Sequence, residues 1–315
     1  MILCCGEALI DMLPVELPDG STAYRPHPGG AIFNTAIALG RLGQSCALLT
    51  GLSSDLFGEM LEAALKASAV DTSFAVRTTR PTTLAFVRLT GGHASYSFFD
   101  ENSATRMLRP ADLPALPDRV SALYLGGISL AAEPGADSFA ALLEGEGARR
   151  AVMIDPNIRP AFIADADRYR ARLFAMLGRA DIVKTSDEDL DWIDPSQRPL
   201  EAKVADLLAA GPSVVIITRG SAGATGHLRD GTAVEVPAAR VKVVDTVGAG
   251  DTFNAGVLAR LAEMGALSKD RLASLDAATL RAALEHGARV AAVTVSRAGA
   301  NPPWAHELSD DAPSA

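Results

Sequence analysis

The segment VVDTVGAGDTFNAG, Val243–Gly256, joins a β-type run to a helical pattern through a glycine turn. Residues 241–244 are β-branched apart from one lysine, as in a strand. From Ala249 to Met264 apolar residues recur at the helical period, at Phe253, Val257, Leu258 and Leu261. The segment therefore predicts a strand, a glycine turn and a helix.

The glycine turn of this segment suits an anion. The first N–H groups of a helix have no partner within it, and the helix dipole adds partial positive charge there. Gly248 and Gly250 allow the backbone to approach a ligand closely, so a phosphate group fits the turn. Taken alone, the segment is also compatible with a plainer reading, in which Asp251 only caps an ordinary helix.

A second glycine turn lies in HPGGAIFNTAIALGRLG, His27–Gly43. Gly29 and Gly30 precede a helical pattern whose first turn carries Asn34, a side chain that can donate to and accept from a sugar hydroxyl. The same pattern suits a tight turn that merely opens a packed helix. The chain has neither a GxxxxGK[ST] loop nor a GxGxxG loop after a strand, so a nucleotide would have to bind in another way.

The rest of the chain predicts one α/β domain. From about Ala122, apolar β-type runs alternate with helical patterns, which is typical of a central, mostly parallel sheet with helices on both faces. Segments 12–26 and 72–100 carry short alternating runs and turn signals, which predict antiparallel strands of a small inserted sheet. We expect a single domain over 1–302 and a mobile tail over 303–315, where Pro, Asp, Ser and Ala dominate.

Composition narrows the class of protein. The 315 residues are 48% hydrophobic and carry a formal net charge of −9, with scattered arginines, so nucleic acid is an unfavourable partner. The apolar N-terminus lacks a basic region and contains acids at Glu7 and Asp11, which argues against a membrane span and for a first strand of a cytoplasmic protein. The three cysteines have no metal-binding spacing and are interpreted as reduced structural thiols.

Together the two glycine turns resemble the two signatures of the phosphofructokinase-B/ribokinase family of carbohydrate kinases. The resemblance covers nearly the whole chain, through GEALIDMLP, GLSSDLFGEML, TTLAFVRL, DPNIRPAF and IITRGSAGA. Three stretches, GEALIDMLP, DPNIRP and ENSATRML, further resemble its bacterial fructokinase branch. The resemblance implies a ribokinase-like fold in which the small sheet is a lid that closes over the sugar and excludes water.

The resemblance also implies roles for the two turns. Asp251 matches the acid that accepts the proton of the attacking sugar hydroxyl, and the N–H groups of Gly248, Ala249 and Gly250 match the family's anion hole. Phosphoryl transfer asks for alignment and charge stabilisation, which such a site supplies. The sugar itself would be held by residues from three places in the chain: Asp11, Gly29, Gly30, Asn34 and Arg159.

On the ATP side, the matching residues are Thr218, Gly220, Gly223 and, near adenine, His286. Ser186 and Asp189 occupy the place of the family's Asn-x-x-Glu, which helps to organise Mg²⁺ and phosphate, and both differ from that pattern. Asp189 is therefore a candidate for holding Mg²⁺ through water. Asp245 belongs either to a loop that binds a monovalent cation, such as K⁺, or simply to the turn.

The resemblance favours an ATP-dependent kinase for D-fructose. 2-Keto-3-deoxygluconate kinase and ribokinase remain alternatives, as does a sugar-binding protein that has lost catalysis; the missing GxGxxG unit disfavours an oxidoreductase. Phe98, Phe99 and Asp100 replace the Tyr-Tyr-Arg with which 2-keto-3-deoxygluconate kinases are expected to hold the substrate carboxylate. We therefore expect Phe98 and Asp100 to face the substrate, with Asp100 repelling an acid sugar. A homodimer is left open.

Overall fold

The computed structural model describes residues 1–90 and 93–308. In chain order its strands are β1 Ile2–Cys5, β2 Leu9–Glu16, β3 Thr22–Gly29, β4 Cys46–Leu49, β5 Gly51–Ser53, β6 Val76–Thr78, β7 Thr83–Thr90, β8 His93–Phe99, β9 Ala122–Gly126, β10 Ala151–Asp155, β11 Ile182–Ser186, β12 Val214–Thr218, β13 Ala224–Leu228 and β14 Ala233–Val236. Its α-helices are α1 Ala31–Arg41, α2 Leu56–Ala67, α3 Gly135–Glu146, α4 Ala166–Leu177, α5 Asp187–Ile193, α6 Leu200–Ala210, α7 Ala249–Glu263, α8 Lys269–Ala273 and α9 Ala277–Val295.

The central sheet has eight strands in the described part of the chain, in the order β14-β13-β12-β11-β10-β9-β1-β4. The pairs from β4 to β12 are parallel, and β13 and β14 extend the sheet by antiparallel pairing. The parallel strands are continuous apolar runs because helices cover both faces. Within β1, Ile2 and Cys4 pack on one face, and Leu3 and Cys5 pack on the other. The predicted α/β fold with a mostly parallel sheet is confirmed.

The small sheet has the order β3-β2-β7-β8 within the described residues. It differs from the prediction in extent, because it uses Leu9–Gly29 and Thr83–Phe99, whereas β6 in the predicted segment 72–100 pairs with β5 in a separate sheet. It also differs in direction. The outer pairs are antiparallel, but the central pair β2 and β7 is parallel, which the long connection between the two strands permits.

Both glycine turns lead into helices, as predicted. Gly248 precedes α7 with a left-handed φ of 76°, and Gly30 precedes α1 with φ of 108°, conformations that a side chain disfavours. The predicted strand at 241–244 is wrong. This segment is an extended loop whose Val243 and Val244 are exposed, and Val244 N donates to Val295 O instead of to a neighbouring strand.

The start of the predicted tail is also corrected. Residues 305–308 form a short 3₁₀ helix, and the Glu307 carboxylate accepts from the Arg297 guanidinium and from Trp304 N. Residues 303–308 therefore pack on the domain, and the remainder of the predicted tail, 309–315, lies outside the described residues. No helix in the described ranges is long and apolar enough to cross a bilayer.

Candidate active site

A cavity of about 340 Å³ lies between the small sheet and the carboxyl edge of the central sheet. Parallel strands direct their carboxyl ends to one edge, where α/β proteins commonly bind ligands. The small sheet contributes Leu9, Asp11 and Phe98, and the two glycine turns contribute Gly30, Ala31, Asn34 and residues 246–251. The sheet edge and its loops contribute Glu7, Gly127, Ile128, Asp155, Asn157, Arg159 and Lys184.

Asp251 lies in the first turn of α7 and is only 8% exposed. Its Oδ2 accepts a hydrogen bond of 2.9 Å from Asn34 Nδ2, and its backbone oxygen accepts one of 3.0 Å from Thr35 Oγ1. Two residues of α1 therefore fix both the side chain and the backbone of Asp251. The amide of Asn34, which the sequence assigned to the sugar, is committed to this carboxylate even though Asn34 also lines the cavity.

The surroundings of Asp251 raise its pKa to about 7. Burial is the main cause, and the nearby carboxylates of Asp155 and Glu7 add to it. The hydrogen bond from Asn34 and the positive charge of Lys184 act in the opposite direction. A carboxylate with a pKa near neutrality is well matched to accept a proton from a hydroxyl and to release it again.

If Asp251 accepts the substrate proton, kcat/KM should depend on its ionisation. Because only the deprotonated carboxylate can accept a proton, the rate is expected to fall by about tenfold for each pH unit below a midpoint near 7. A pH profile with saturating ATP measures this limb. A profile flat down to pH 5 would contradict the role.

The N-terminus of α7 faces the same cavity. Gly248, Ala249 and Gly250 line it, and their N–H groups belong to the turn before the helix ladder is complete. A Cβ on Gly248 would lie 2.7 Å from the Cβ of Ala300, and one on Gly250 would lie 3.5 Å from Lys184 Nζ. The turn combines a helix N-terminus with a nearby ammonium group, an arrangement that favours an anion.

Asp11 faces the cavity from β2, and burial raises its pKa to about 6. Gly29 lies beside it in β3, and a Cβ there would overlap the Asp11 carboxylate, so glycine is required for this side chain to keep its place. Gly30 is similarly constrained, because its Cβ would lie 3.0 Å from Glu7 Cγ. Gly29 thus acts through Asp11 and is not itself a lining residue.

Two residues from different elements complete the sugar end. Phe98 of β8 lines the cavity and packs edge-on against Phe162, with 4.2 Å between ring centroids. Arg159 lines it as well, and its Nη1 donates to the backbone oxygen of Ile158 at 2.9 Å. The structure therefore brings Phe98 and Arg159 to the cavity, as the resemblance implied.

Glu7 is a lining residue to which the sequence alone assigned no role. Its carboxylate accepts from Ala31 N at 3.0 Å and from the backbone and hydroxyl of Ser129, and it is 3% exposed. Burial raises the pKa of Glu7. It joins α1 to the loop after β9, so it shapes the floor of the cavity. Its signal in the sequence is an acid inside an otherwise apolar strand end.

Asp155 and Lys184 were also missed. Asp155 is the last residue of β10, Lys184 is the central residue of β11, and Lys184 Nζ is 2.9 Å from Asp155 Oδ2. Asp155 Oδ2 also accepts from Asn254 Nδ2 at 2.7 Å, and Asn254 Nδ2 is 2.8 Å from the hydroxyl of Tyr124. This buried network connects the sheet edge to α7 one turn beyond Asp251.

The residues assigned to ATP lie near this edge but outside the cavity. Ser186 caps α5 by accepting from Asp189 N at 2.9 Å, and burial together with the charge of Asp155 raises the pKa of Asp189. Thr218 ends β12 in register with Ser186. Gly220 is in open space with a φ of 50°. A Cβ on Gly223 would overlap the carbonyl of Val236, so close packing alone accounts for a glycine at position 223.

His286 does not line the cavity. It precedes Gly287 of α9, which packs against Gly256 in the middle of α7. The charges that act on its imidazole are those of Glu263, Arg260 and Arg289, and burial is the main cause of its lowered pKa. These charges lie on the far half of α7 and on α9 itself, so the structure does not bring His286 to the glycine turn.

The expectation for Asp100 is wrong. Its Oδ1 is 2.8 Å from Arg106 Nη1, it is 7% exposed, and it borders a separate small cavity behind the active-site cleft. Because Arg106 balances its charge, Asp100 cannot act as an unpaired acid facing a substrate. Strand β8 turns Phe98 into the cleft, and Asp100, two residues later, lies where the strand has ended.

Asp245 belongs to a loop contact. Its Oδ1 accepts from Val247 N at 3.0 Å and its Oδ2 accepts from Gly299 N at 2.9 Å. The carboxylate thus joins the segment before the glycine turn to the segment after α9. The described residues contain no group of three His, Cys, Asp or Glu side chains that could hold a metal ion.

Solved structures with this architecture are sugar kinases. Fructokinase from Xylella fastidiosa with bound ATP superposes with a TM-score of 0.87 at 31% identity, covering 95% of this chain and 93% of that one. A double mutant of fructokinase from Vibrio cholerae O395, with fructose, ADP and potassium bound, gives a TM-score of 0.80 at 27% identity, covering 95% and 93%. The predicted ribokinase-like fold is confirmed.

The sequence comparisons agree with the structural ones. Fructokinase of Rhizobium leguminosarum bv. trifolii is 52% identical over 281 residues, which are 89% of this chain and 86% of the relative. The model of the family described as pfkB family carbohydrate kinase matches residues 1–307. Since that match spans almost all of the sequence and includes both glycine turns around the cavity, the chain belongs to the pfkB family of carbohydrate kinases.

Proposed function

We propose that this carbohydrate kinase transfers the γ-phosphate of ATP to a hydroxyl group of D-fructose. The observation that carries the proposal is the buried Asp251 at the N-terminus of α7, in one cavity with Asp11 of the small sheet. The two carboxylates and the helix end together suit a polyol acceptor and a phosphate donor. The similarity to a bacterial fructokinase supports the choice of fructose.

In the proposed reaction, the sugar oxygen attacks the γ-phosphorus while the bond from that phosphorus to the bridging oxygen of ADP breaks. The hydroxyl proton passes to the Asp251 carboxylate, which later releases it to solvent, so the products are sugar phosphate, ADP and a proton. Gly248, Ala249 and Gly250 would offer N–H groups to the negative charge of the phosphoryl group, although Ala249 N also donates to Thr246 O at 3.2 Å. Asn34 holds Asp251 in place through its 2.9 Å hydrogen bond.

Sugar recognition is assigned to the opposite wall. A carboxylate accepts two hydroxyl protons well, and the Asp11 carboxylate lies against Gly29 of the neighbouring strand β3. Since Asp11 and Phe98 both belong to the small sheet, sugar binding would draw this sheet over the cavity as a lid. Closure would keep water from competing for the phosphoryl group.

The nucleotide would enter along the edge formed by Ser186, Thr218 and Gly220. Mg²⁺ fits this arrangement as a partner of the nucleotide phosphates, because Mg²⁺ retains several waters and needs few protein ligands. Asp189 is the acid that would contact it through water. The ion would neutralise phosphate charge. The Asp245 loop would hold K⁺ beside the turn, as its link between residues 245–247 and Gly299 suggests.

The alternative functions require different charges and different residues in the cavity. A 2-keto-3-deoxygluconate kinase must accept a carboxylate. The sugar end presents the acids Asp11 and Glu7 beside the cation Arg159, and Arg106, in the loop after β8, is engaged by Asp100. An inactive binding protein would not need Asp251 or its anchoring by α1. Ribokinase remains the nearest competitor because ribose is also neutral.

The test is release of ADP with fructose, ribose and 2-keto-3-deoxygluconate as acceptors. We expect kcat/KM for fructose to exceed that for the acid sugar by about 10²-fold or more, because like charges brought together in a closed site cost several kcal/mol. Higher kcat/KM for ribose would replace fructose as the substrate but keep the kinase. ATP and ADP bound without turnover on any sugar would instead favour a binding protein. An ATP-consuming reaction on a free sugar is expected in the cytoplasm.

A further inference from the structure

Lys184 is a buried cation in the wall of the active-site cavity. Its side chain is 7% exposed, it lines the cavity, and its Nζ lies 3.5 Å from the position of a Cβ on Gly250. It therefore lies beside the same turn that would receive the phosphoryl group. Arg159 is the other cation among the described lining residues, whereas Glu7, Asp11, Asp155 and Asp251 bring negative charge to the cavity.

The contacts of Lys184 differ from those of a purely structural buried lysine. Lys203, which is not among the lining residues of the cavity, is 4% exposed and donates to Asp191 Oδ1 at 2.6 Å and to Asp194 O at 2.8 Å. Among the described residues, Lys184 donates to Asp155 at 2.9 Å. An ammonium group has three N–H donors, so further donors of Lys184 are available to a ligand in the cavity.

Electrostatics also require a cation at this place. A γ-phosphate at the turn would lie near the carboxylates of Asp155 and Asp251, and buried like charges repel strongly. Backbone N–H groups of the turn carry only partial charge. A full positive charge beside Gly250 offsets this repulsion where negative charge is transferred.

We propose that Lys184 is a catalytic residue whose ammonium group stabilises the transferred phosphoryl group, and that Asp155 is the positioning residue that holds it there. The inference rests on the proposed phosphoryl transfer to a sugar. Lys184 transfers no proton in this step, and its contribution is electrostatic. Asp155 suits its role because it also binds Asn254 Nδ2 at 2.7 Å, which places the ammonium relative to α7 and hence to Asp251.

The first experiment replaces Lys184 with Met, which keeps the unbranched apolar part of the side chain and removes the charged terminal group. We expect kcat to fall by about 10²-fold or more, as when a preorganised donor to a transition-state charge is lost, with KM for the sugar nearly unchanged. The Lys184→Arg variant, which retains the charge, should recover part of the loss. Lys203→Met is the matched control, which should lower Tm and leave kcat as in the parent.

The pH profile separates this role from a structural one. Lys184 lowers the pKa of Asp251 and Asp155 raises it. Lys184→Met should therefore shift the acidic limb of kcat/KM to higher pH, and Asp155→Asn should shift it to lower pH, although both variants lose kcat. A folding defect would lower kcat without moving the limb in opposite directions. Both variants leave unchanged the other two groups that act on the Asp251 carboxylate, Glu7 after β1 and Asn34 of α1.

Nucleotide binding without a sugar provides a second readout. Calorimetry should show that Lys184→Met weakens ATP more than ADP, since the cation faces the γ-phosphate. This holds even if fructose is not the acceptor, so failure of the substrate assignment leaves the result interpretable. The proposal is overturned if folded Lys184→Met retains kcat within threefold, or if ATP and ADP weaken equally. If Lys184→Met does not fold, the same two measurements on Asp155→Asn, kcat and the affinities for ATP and ADP, test the proposal.

Discussion

The Asp251→Asn variant is expected to bind sugar and ATP almost as the parent does and to lose a factor of about 10²–10⁴ in kcat, the usual effect of removing a positioned proton acceptor. Asn keeps the shape of the side chain but cannot take the hydroxyl proton. Its amide oxygen can still accept from Asn34 Nδ2, so the 2.9 Å contact to α1 is retained. Steady-state kinetics with saturating substrates measures the loss.

Stability supplies the control for this variant. The pKa of Asp251 is raised in the folded state, so the protonated carboxyl group is favoured there. Its stabilising contribution to the free energy of unfolding is therefore lost as pH rises from about 4 through about 7. Above pH 7 the parent must bury a charge that Asn does not carry. We therefore expect Tm of Asp251→Asn at pH 8 to equal or exceed that of the parent. A rate within threefold of the parent would mean that another group accepts the proton.

The second large effect is expected at Asp11. Asp11→Ala should lower kcat/KM for the sugar by about 10²-fold or more, because two hydrogen bonds to a charged group contribute roughly 1.5–3 kcal/mol each. The loss should lie in sugar recognition, so KM for ATP is expected to change little. Alanine leaves space, since the Asp11 carboxylate fills the volume beside Gly29. Initial rates over a range of sugar and ATP concentrations separate the two effects.

Asp19 provides the matched control on the same sheet. It lies in the exposed turn between β2 and β3 and bonds only to Ser21 among the described contacts, so Asp19→Asn changes the charge without touching the cavity. Its kinetics should be those of the parent. Equal losses in both variants would point to a general effect on the small sheet. A normal kcat/KM for Asp11→Ala would remove Asp11 from sugar binding.

The motifs of the chain were sufficient to predict the family, the α/β class and much of the active-site wall. Glycine turns are readable because Gly248 and Gly30 adopt backbone conformations that other residues avoid. Helix α7 was readable from its apolar spacing. The strand predicted at 241–244 failed because β-branched residues fit any extended segment, and only a neighbouring strand makes such a segment part of a sheet.

Partnerships between distant residues required the tertiary structure. Asp100 does not present an unpaired charge to an acid substrate, because Arg106 pairs with it. Asn34 donates a hydrogen bond to Asp251, which is 217 positions away in the sequence. Lys184 and Asp155 meet at 2.9 Å from neighbouring strands. Asp155 is the first residue of the motif DPNIRP, but the sequence indicated no role for it or for Lys184. The sequence by itself determined which chemistry the turns can perform, since that depends on local backbone and residue type. Which charges surround that chemistry was decided by the fold, because electrostatic energy depends on distance in space and on burial.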